Sequence, residues 1–257
     1  MLRMLLPHGL VRASQVAARL QVLGLPRSRA WQRACDPDTP VRLSRAGLEL
    51  LPRGALADPE CVIDAGANIG DWSADLLRFC TPRRHLCIEP HPALAASLRQ
   101  RFAAHAAVQV VECALGSATG EVRLNTAANP LLHSLRLPAA GMAGRFPADF
   151  RVDGELAVRM RTLDELARDL PRVSLLKLDL QGYEREALAG AGDTLRRTDA
   201  VLTEVNFVPH YEGEADFAEL HGIFVAAGFR LANYAPPSGG DERCALFANF
   251  LYLRAAG

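Results

Sequence analysis

The sequence predicts an α/β protein with a doubly wound, mostly parallel β-sheet, an antiparallel last strand and a β-hairpin insertion. From residue 61 onward, short apolar runs alternate with segments of helical period, which is typical of βαβ units. The chain has 257 residues, 49% of them hydrophobic, which suffices for one core of domain size. We therefore expect one α/β domain at residues 58–257, preceded by an N-terminal extension at residues 1–57.

The first part of the domain contains three short apolar runs typical of strands. They predict strands at 61–64, 85–89 and 108–113, and the segments between them predict helices at 71–80 and 92–104. This alternation predicts βαβ units, in which the strands run parallel.

The middle of the chain changes its hydrophobic period. Residues 120–126 and 156–161 alternate apolar with polar side chains, which predicts an antiparallel excursion. The segment 129–150 between them is rich in Gly, Ala and Pro, and we expect a loop that covers a site. Thr162, with Glu165 three residues later, has the pattern of a capping box and predicts a short helix to Leu170.

Parallel alternation then resumes toward the C-terminus. Strands are expected at 174–180, 200–207 and 229–234, with helices at 184–190 and 216–227. A last apolar run predicts a strand at 245–254 that joins the sheet as an antiparallel partner.

The N-terminal extension is apolar but is interrupted by Arg3, Pro7 and Arg12. It therefore contains neither the roughly 18 consecutive apolar residues of a membrane span nor a recognisable signal peptide. We expect an amphipathic helix near residues 11–25 that packs on the domain, with contact to a membrane surface and a flexible arm as the alternatives.

Charge and cysteine usage exclude some classes of protein. Lysine plus arginine and aspartate plus glutamate both number 29, and this zero net charge disfavours nucleic acid as the main partner. The six cysteines lack CxxC or Cys/His spacing, which predicts a reduced, cytoplasmic protein without structural zinc.

A glycine-containing loop, DAGANIG at 64–70, follows the first expected strand, where a doubly wound sheet binds its ligand. Gly66 permits a sharp turn and the close approach of a ligand, and Gly70 permits close entry into the next helix. Asp64 adds a negative charge, which suits a cationic amino-acid ligand. A dinucleotide fingerprint is disfavoured because Asn68 and Asp71 stand where its second and third glycines belong, and no G-K-[ST] follows for a P-loop.

The next two strand ends also carry candidate ligand-binding residues. Glu89 lies about twenty residues after the glycine loop, where an acidic residue typically binds ribose hydroxyls. Cys113 and Ala114 begin a turn of small residues that could hold an adenine ring. An ordinary glycine-containing turn between strand and helix is the alternative for the loop alone.

A series of short motifs runs in order across roughly residues 58–253. They are VIDAGANIGDW (62–72), IEPHP (88–92), ALGSATGEV (114–122), HSL (133–135), TLDEL (162–166), LLKLDLQGYEREAL (175–188), TEVNF (203–207) and GF (228–229). With these motifs the chain resembles the FkbM-type methyltransferases, which use S-adenosylmethionine (SAM) and are mostly implicated in O-methylation of sugars, polyketides and related metabolites.

The resemblance implies a class I, Rossmann-like methyltransferase domain with SAM as the methyl donor. It implies a hydroxyl acceptor on a sugar, glycan or secondary metabolite, that is, a small-molecule or glycan partner. The family often has two serines where this chain has His133 and Ser134, which leaves the acceptor contacts open. The cofactor-binding residues that it implies are Asp64, Gly66, Ala67, Asn68, Gly70, Glu89, Cys113, Ala114 and Asp179.

Methyl transfer to a hydroxyl requires a base that removes the proton of the acceptor. Asp179, at the end of the fourth sheet strand, is the first candidate, and cofactor binding is its alternative role. His210 is the second, because its ordinary pKa suits general-base chemistry near neutrality, with a surface or structural role as its alternative. No metal is expected, and Mg²⁺ held by Asp179, Glu204 and Asn206 is the less favoured reading.

Two other functions share the cofactor half of such a site. One is an N-methyltransferase, although the N/D-P-P-Y/F segment usual in base-modifying enzymes is replaced by DLQG at 179–182. The other is a catalytically inactive SAM-binding partner protein in a biosynthetic complex.

Overall fold

A computed structural model describes residues 10–11, 41–42, 47–52, 54–140, 150–236 and 246–255. Its strands in chain order are β1 (Leu10–Val11), β2 (Val41–Arg42), β3 (Cys61–Ala65), β4 (Arg84–Ile88), β5 (Val108–Val111), β6 (Ala114–Leu115), β7 (Gly120–Ala127), β8 (Val152–Arg161), β9 (Leu175–Leu178), β10 (Ala200–Asn206), β11 (Phe229–Tyr234) and β12 (Phe247–Arg254). Its α-helices are α1 (Asp71–Phe79), α2 (Pro92–Arg101), α3 (Leu163–Leu166), α4 (Glu184–Ala189), α5 (Gly192–Arg196) and α6 (Phe217–Ala226).

Seven strands form one central sheet in the order β11-β12-β10-β9-β3-β4-β5. The strands from β10 to β5 are all parallel to their neighbours, and β12 is antiparallel to both β10 and β11. The chain builds outward from β3 in one direction and from β9 in the other, so the switch point lies between these two strands. The predicted doubly wound fold is confirmed, and the last strand is inserted between β10 and β11.

The predicted insertion is a separate three-stranded sheet in the order β6-β8-β7. Strands β7 and β8 pair antiparallel over their length, whereas β6 is parallel to β8. The predicted loop at 129–150 is described only in part. It contains a 3-10 turn at Pro130–Leu132 and a bridge between Pro138 and Tyr211, and residues 141–149 lie outside the described ranges.

The cap of helix α3 follows only half of the predicted capping box. The Thr162 hydroxyl accepts a hydrogen bond from the Glu165 backbone N–H at 3.1 Å. The Glu165 carboxylate instead accepts from Arg161 and Thr119, and the helix ends at Leu166 instead of continuing to residue 170. Sequence reasoning also missed the five-residue helix α5.

Part of the predicted N-terminal extension packs on the domain. Leu50 and Leu51 are buried in one apolar cluster with Val62 and Trp72. A Cβ added at Gly47 would lie 2.7 Å from a Leu202 methyl group, so this turn is in close contact with the sheet. Apart from the two-residue strand ending at residue 11, the predicted amphipathic helix at 11–25 lies outside the described residues. The domain boundary stays a prediction.

No helix in the described part of the chain is both long and apolar enough to cross a membrane. The four described cysteines carry free thiols, and three of them are buried: Cys61, Cys80, Cys87 and Cys113. The predicted reduced, cytoplasmic environment stays a prediction.

Candidate active site

A cavity of about 380 Å³ opens at the carboxyl ends of the central strands, beside the switch point. This volume falls within the usual range for small-molecule sites. The loop after β3, the ends of β4, β9 and β10, and the segment after β7 all contribute to its wall. The predicted site residues that line it are Gly66, Ala67, Asn68, Glu89, Cys113, Ala114, Asp179 and His210.

The loop after β3 is shaped by a glycine whose position leaves no space for a side chain. Gly66 has a φ of +78°, and a Cβ there would lie 1.9 Å from the carbonyl oxygen of Asp179. The amides of Gly66 and Ala67 both donate to the Ile88 carbonyl at 3.0 Å. Hydrogen bonds thus fix the loop to β4, and on its other side the loop lies directly against the residue that follows β9.

Glu89 is buried at the end of β4 and is held by backbone donors. The Asn68 N–H donates to Glu89 Oε2 at 2.8 Å, and the His91 N–H donates to Oε1 at 2.9 Å. Burial raises the pKa of Glu89 to about 7, although the two N–H donors oppose that shift. Each carboxylate oxygen has a further lone pair, so Glu89 can still accept hydrogen bonds from a pair of hydroxyls.

Two predicted cofactor residues support the loop from behind and do not line the cavity. Asp64 is fully buried and accepts from Lys177 Nζ at 3.0 Å and from Ser73 Oγ at 2.6 Å. At Gly70, with a φ of +83°, a Cβ would lie 2.6 Å from a methyl group of Leu98. Gly70 therefore allows α1 to pack against α2.

Lys177, which sequence reasoning passed over, lies at the centre of the site. Its Nζ is 3.0 Å from Asp64 Oδ1, 3.3 Å from the Gly66 carbonyl oxygen and 3.6 Å from Asp179 Oδ2. Burial lowers the pKa of Lys177, but the two carboxylates outweigh this effect, and the net shift is upward. The available signal was composition, because this is the only lysine among 29 lysine and arginine residues.

The Asp179 side chain is one-third exposed and is held on its other side by Gln181. Gln181 Nε2 donates to Asp179 Oδ1 at 2.7 Å, and the buried Tyr211 hydroxyl donates to Gln181 Oε1 at 2.7 Å. Gln181 has a φ of +53°, a left-handed conformation that non-glycine residues adopt rarely. Asp179 is thus oriented by Gln181 at one oxygen and faces Lys177 with the other.

His210 lines the half of the cavity formed by β9, β10 and β12. Its ring lies 5.9 Å from that of Phe150 and 6.3 Å from that of Phe247, and its backbone N–H donates to Glu214 Oε1 at 2.7 Å. Burial lowers the pKa of His210 to about 4. The imidazole is therefore neutral at pH 7 and is a weak base, and its catalytic role stays a prediction.

One cluster in the described ranges brings three potential metal ligands within 4.8 Å of one another, namely Asp64, His85 and Cys87. The Ser73 hydroxyl already lies among them, at 2.6, 3.0 and 3.3 Å from their ligand atoms. The cluster is therefore a buried hydrogen-bond network under the cofactor loop. Asp179, Glu204 and Asn206 are the residues that the sequence suggests for Mg²⁺. Of these, Asn206 uses its side-chain amide to donate a hydrogen bond to the Glu214 carboxylate at 3.1 Å.

Residues 129–138, which we call the covering segment, line the cavity with their first seven residues, 129–135. Asn68 Nδ2 donates to the Pro130 carbonyl at 2.9 Å, and Ser134 Oγ donates to the Gln181 carbonyl at 2.7 Å. The side chain of Arg136 donates to the carbonyl of Gly182 at 2.8 Å. The segment thus contacts both the cofactor loop and the loop after Asp179.

A parallel sheet with this strand order, an antiparallel strand beside β10 and a glycine loop hydrogen-bonded to a buried carboxylate at a cavity define the class I, Rossmann-like methyltransferase fold. The family model for the methyltransferase FkbM domain matches residues 64–231, and the chain therefore belongs to the FkbM methyltransferase family.

The curated relatives that the chain matches are distant in sequence. The chain is 26% identical over 187 residues to 2-O-methyltransferase NoeI of Sinorhizobium fredii, covering 69% of this chain and 74% of that protein. It is 29% identical over 156 residues to methyltransferase sdnD of Sordaria araneosa, covering 51% of this chain and 60% of that protein.

A solved methyltransferase FkbM from Methylobacillus flagellatus KT has the same fold, with a TM-score of 0.50 at 17% identity. The match covers 92% of this chain and 59% of that chain, so the protein spans less than two thirds of the length of this solved relative.

Proposed function

We propose that the protein is a SAM-dependent O-methyltransferase whose acceptor is a hydroxyl of a sugar, glycan or secondary metabolite. The observation that carries the proposal is one cavity with two chemically different halves. Glu89 lies on one side and Asp179 on the other, and the loop after β3 lies between them. This arrangement suits a ribose-containing donor that meets a hydroxylated acceptor at the switch point.

The donor half offers contacts for each part of SAM. Glu89 lines the cavity, and each of its oxygens keeps a lone pair for a ribose hydroxyl. The backbone of Gly66 and Ala67 allows close approach because the loop has little side-chain bulk. Cys113 and Ala114 provide small, buried surfaces beside an adenine ring. When bound, SAM would supply a methyl group on a sulfonium for in-line displacement.

The acceptor half combines hydrogen-bonding side chains with aromatic surfaces. Glu204 and Asn249 contribute polar groups, whereas Phe150 and Phe247 contribute apolar faces. A polyhydroxylated ring presents hydroxyls at its edge and C–H groups on its faces, so it matches such a lining. The printed name of the relative NoeI, a 2-O-methyltransferase, agrees with oxygen as the methylated atom.

In this proposal Asp179 orients the acceptor hydroxyl and accepts its proton. Gln181 fixes one carboxylate oxygen, and the other is directed toward Lys177 and the cavity. A base must be held within hydrogen-bond reach of the proton that it removes. His210 is the weaker candidate because burial lowers its pKa to about 4.

Calorimetric titration with SAM and S-adenosylhomocysteine tests the donor assignment, and we expect binding of both. Incubation with SAM and a panel of sugars, glycans, phenols and amines then tests the acceptor, with S-adenosylhomocysteine measured by mass spectrometry. Methylation of hydroxyls alone is the expected result. Turnover with amines alone would indicate an N-methyltransferase, and tight SAM binding without turnover on any acceptor would indicate a cofactor-binding partner protein.

A further inference from the structure

We infer that Lys177 is a positioning residue for methyl transfer: its ammonium group holds the Asp64 and Asp179 carboxylates and the Gly66 carbonyl together at the switch point. The inference rests on the proposed function, because it gives Asp179 a role in the reaction. It adds Lys177, which lines the cavity but has no assigned contact with donor or acceptor in the scheme above.

The Lys177 ammonium group has three oxygen partners around it. It donates hydrogen bonds to Asp64 and to the Gly66 carbonyl at 3.0 and 3.3 Å, and it forms an ion pair with Asp179 at 3.6 Å. These contacts join the end of β3 to the end of β9, the two strands between which the direction of winding reverses. Lys177 therefore sets the spacing between the cofactor loop and Asp179.

The two carboxylates around Lys177 differ in burial and in their distance from the ammonium group. Asp64 is fully buried and closest to the ammonium, so it depends on Lys177 for compensation of its charge. Asp179 is farther away and one-third exposed. The cluster has one ammonium and two carboxylates, which leaves a net negative charge that Asp179 presents to the cavity.

The identity of the residue supports a geometric requirement. Of the 29 lysine and arginine residues in the chain, all except Lys177 are arginines. A lysine at this position therefore departs from the composition of the rest of the chain. A lysine ammonium is compact and can point three donors at converging acceptors, whereas guanidinium is planar and larger. The Trp72 ring, with its centroid 5.8 Å from Nζ, further limits the space.

The test compares Lys177→Met with the double variant Asp64→Asn/Lys177→Met. The single variant leaves a buried, uncompensated Asp64, so we expect it to lose both stability and turnover. The double variant removes both charges, and we expect its melting temperature to recover while kcat stays about 100-fold below wild type, because Asp179 is no longer held in place.

Arg254→Met is the control variant, in which another cation that is partly buried is replaced by methionine. Arg254 donates to the Thr198 and Leu195 carbonyls at the opposite end of the sheet, so its loss should lower stability and leave kcat unchanged. Recovery of kcat together with stability in the double variant would overturn the inference and reduce Lys177 to a structural partner of Asp64.

A spectroscopic readout separates this inference from the proposed function. The single lysine gives one side-chain ¹⁵Nζ resonance in labelled protein, and we expect Asp179→Asn to shift it in the absence of any ligand. An unchanged resonance would contradict the contact even if methyl transfer occurs. If Asp179→Asn shifts the resonance but the wild-type protein transfers no methyl group to any acceptor, the proposed function fails while the contact remains, and the role of Lys177 in the reaction is then refuted.

Discussion

Glu89 illustrates how burial and backbone donors together shape a ligand-binding carboxylate. Desolvation raises its pKa to about 7, whereas the N–H groups of Asn68 and His91 stabilise the ionised form. The side chain therefore titrates in the neutral range. Binding of a ligand that donates hydrogen bonds to the carboxylate must favour ionised Glu89 and release a proton.

From this titration we predict that SAM affinity rises as the pH increases from 6 to 8. Below pH 7 the free protein must lose a proton from Glu89 on binding, which costs at most about tenfold in affinity per pH unit. Calorimetry at pH 6, 7 and 8 measures the slope. Glu89→Gln should bind weakly at every pH and lose this slope, and a variant that kept the wild-type slope would assign the titration to another group.

Gly66 and Gly54 form a matched pair for testing the cofactor loop. Both have a φ of +78°, but a Cβ at Gly66 would lie 1.9 Å from a backbone oxygen, whereas Gly54 has no atom within 4 Å of that position. We predict that Gly54→Ala costs about 1 kcal/mol of unfolding free energy from backbone strain alone. Gly66→Ala should cost several times more and abolish SAM binding.

Urea unfolding monitored by circular dichroism compares the two variants, and calorimetry gives their SAM affinity. Equal destabilisation by both substitutions would show that the loop can move away from Asp179.

Residue spacing was enough to predict which loop residues line the cavity. It did not predict the buried contact between Asp64 and Lys177 behind the loop. Gly66, Asn68 and Glu89 were predicted because their positions follow from a loop between strand and helix. Asp64 looked equally exposed to ligand in the sequence, yet all five residues of β3 are buried, so no alternation reveals which way a side chain points. Lys177 meets Asp64 across 113 residues, a contact that no local pattern reports.

At the scale of elements, the covering segment is tied down by Arg136. Its guanidinium donates to the carbonyls of Gly182 and Glu212 at 2.8 and 2.9 Å and to the Glu186 carboxylate at 2.6 Å. These contacts fasten the segment to the loops after β9 and β10. We expect release of a bound ligand to involve movement of this segment.

We predict that Arg136→Met speeds SAM dissociation about tenfold, because the covering segment loses three anchoring hydrogen bonds. Stopped-flow displacement of SAM measures the rate. Arg123→Met is the control, since Arg123 pairs with Glu155 on the exposed face of the hairpin, far more open to solvent than Arg136. Equal rates in the two variants would mean that the segment does not limit release.

Strands and helices were predicted best where the hydrophobic period and the length of the segment indicated the same type of element. The strands of the central sheet have apolar runs bounded by turns, and their bounds differ from prediction by at most two residues. Helices α3 and α5 are only four and five residues long. Such short helices depend on tertiary contacts, such as the Asp164 carboxylate that accepts from the Thr194 N–H at 2.7 Å, and these are invisible to a sequence pattern.

For the whole molecule, buried titratable groups oppose one another in the pH dependence of stability. Burial lowers the pKa of His85 and His210 to about 4, so protonation of the unfolded chain weakens the fold as the pH falls below 6.5. Burial raises the pKa of Glu89 and Glu184 to about 7, so the folded state holds extra protons and loses stability as the pH rises from 4.5 to 7.

Replacing one of these buried groups should reveal its own contribution to the pH dependence of the unfolding free energy. We predict that Glu184→Gln is more favourable at pH 8 than at pH 4.5, by an amount on the order of 3 kcal/mol, because the variant no longer has a buried carboxylate to ionise. The amide oxygen can still accept from the Leu180 N–H, which Glu184 binds at 2.7 Å. Urea titrations at the two pH values measure the difference, and an equal effect at both would refute the assigned titration.

The single lysine in β9 also makes the protein a reporter of its own unfolding. A lysine-specific endoproteinase has one peptide bond to cut in the whole chain, between Lys177 and Leu178, in the strand that joins the two halves of the sheet. Because that bond is buried, cleavage requires opening of the central sheet, and loop motion or fraying elsewhere leaves no product. The rate at which the two fragments appear therefore measures how often the central sheet opens. A ligand that bridges β3 and β9 should lower this rate.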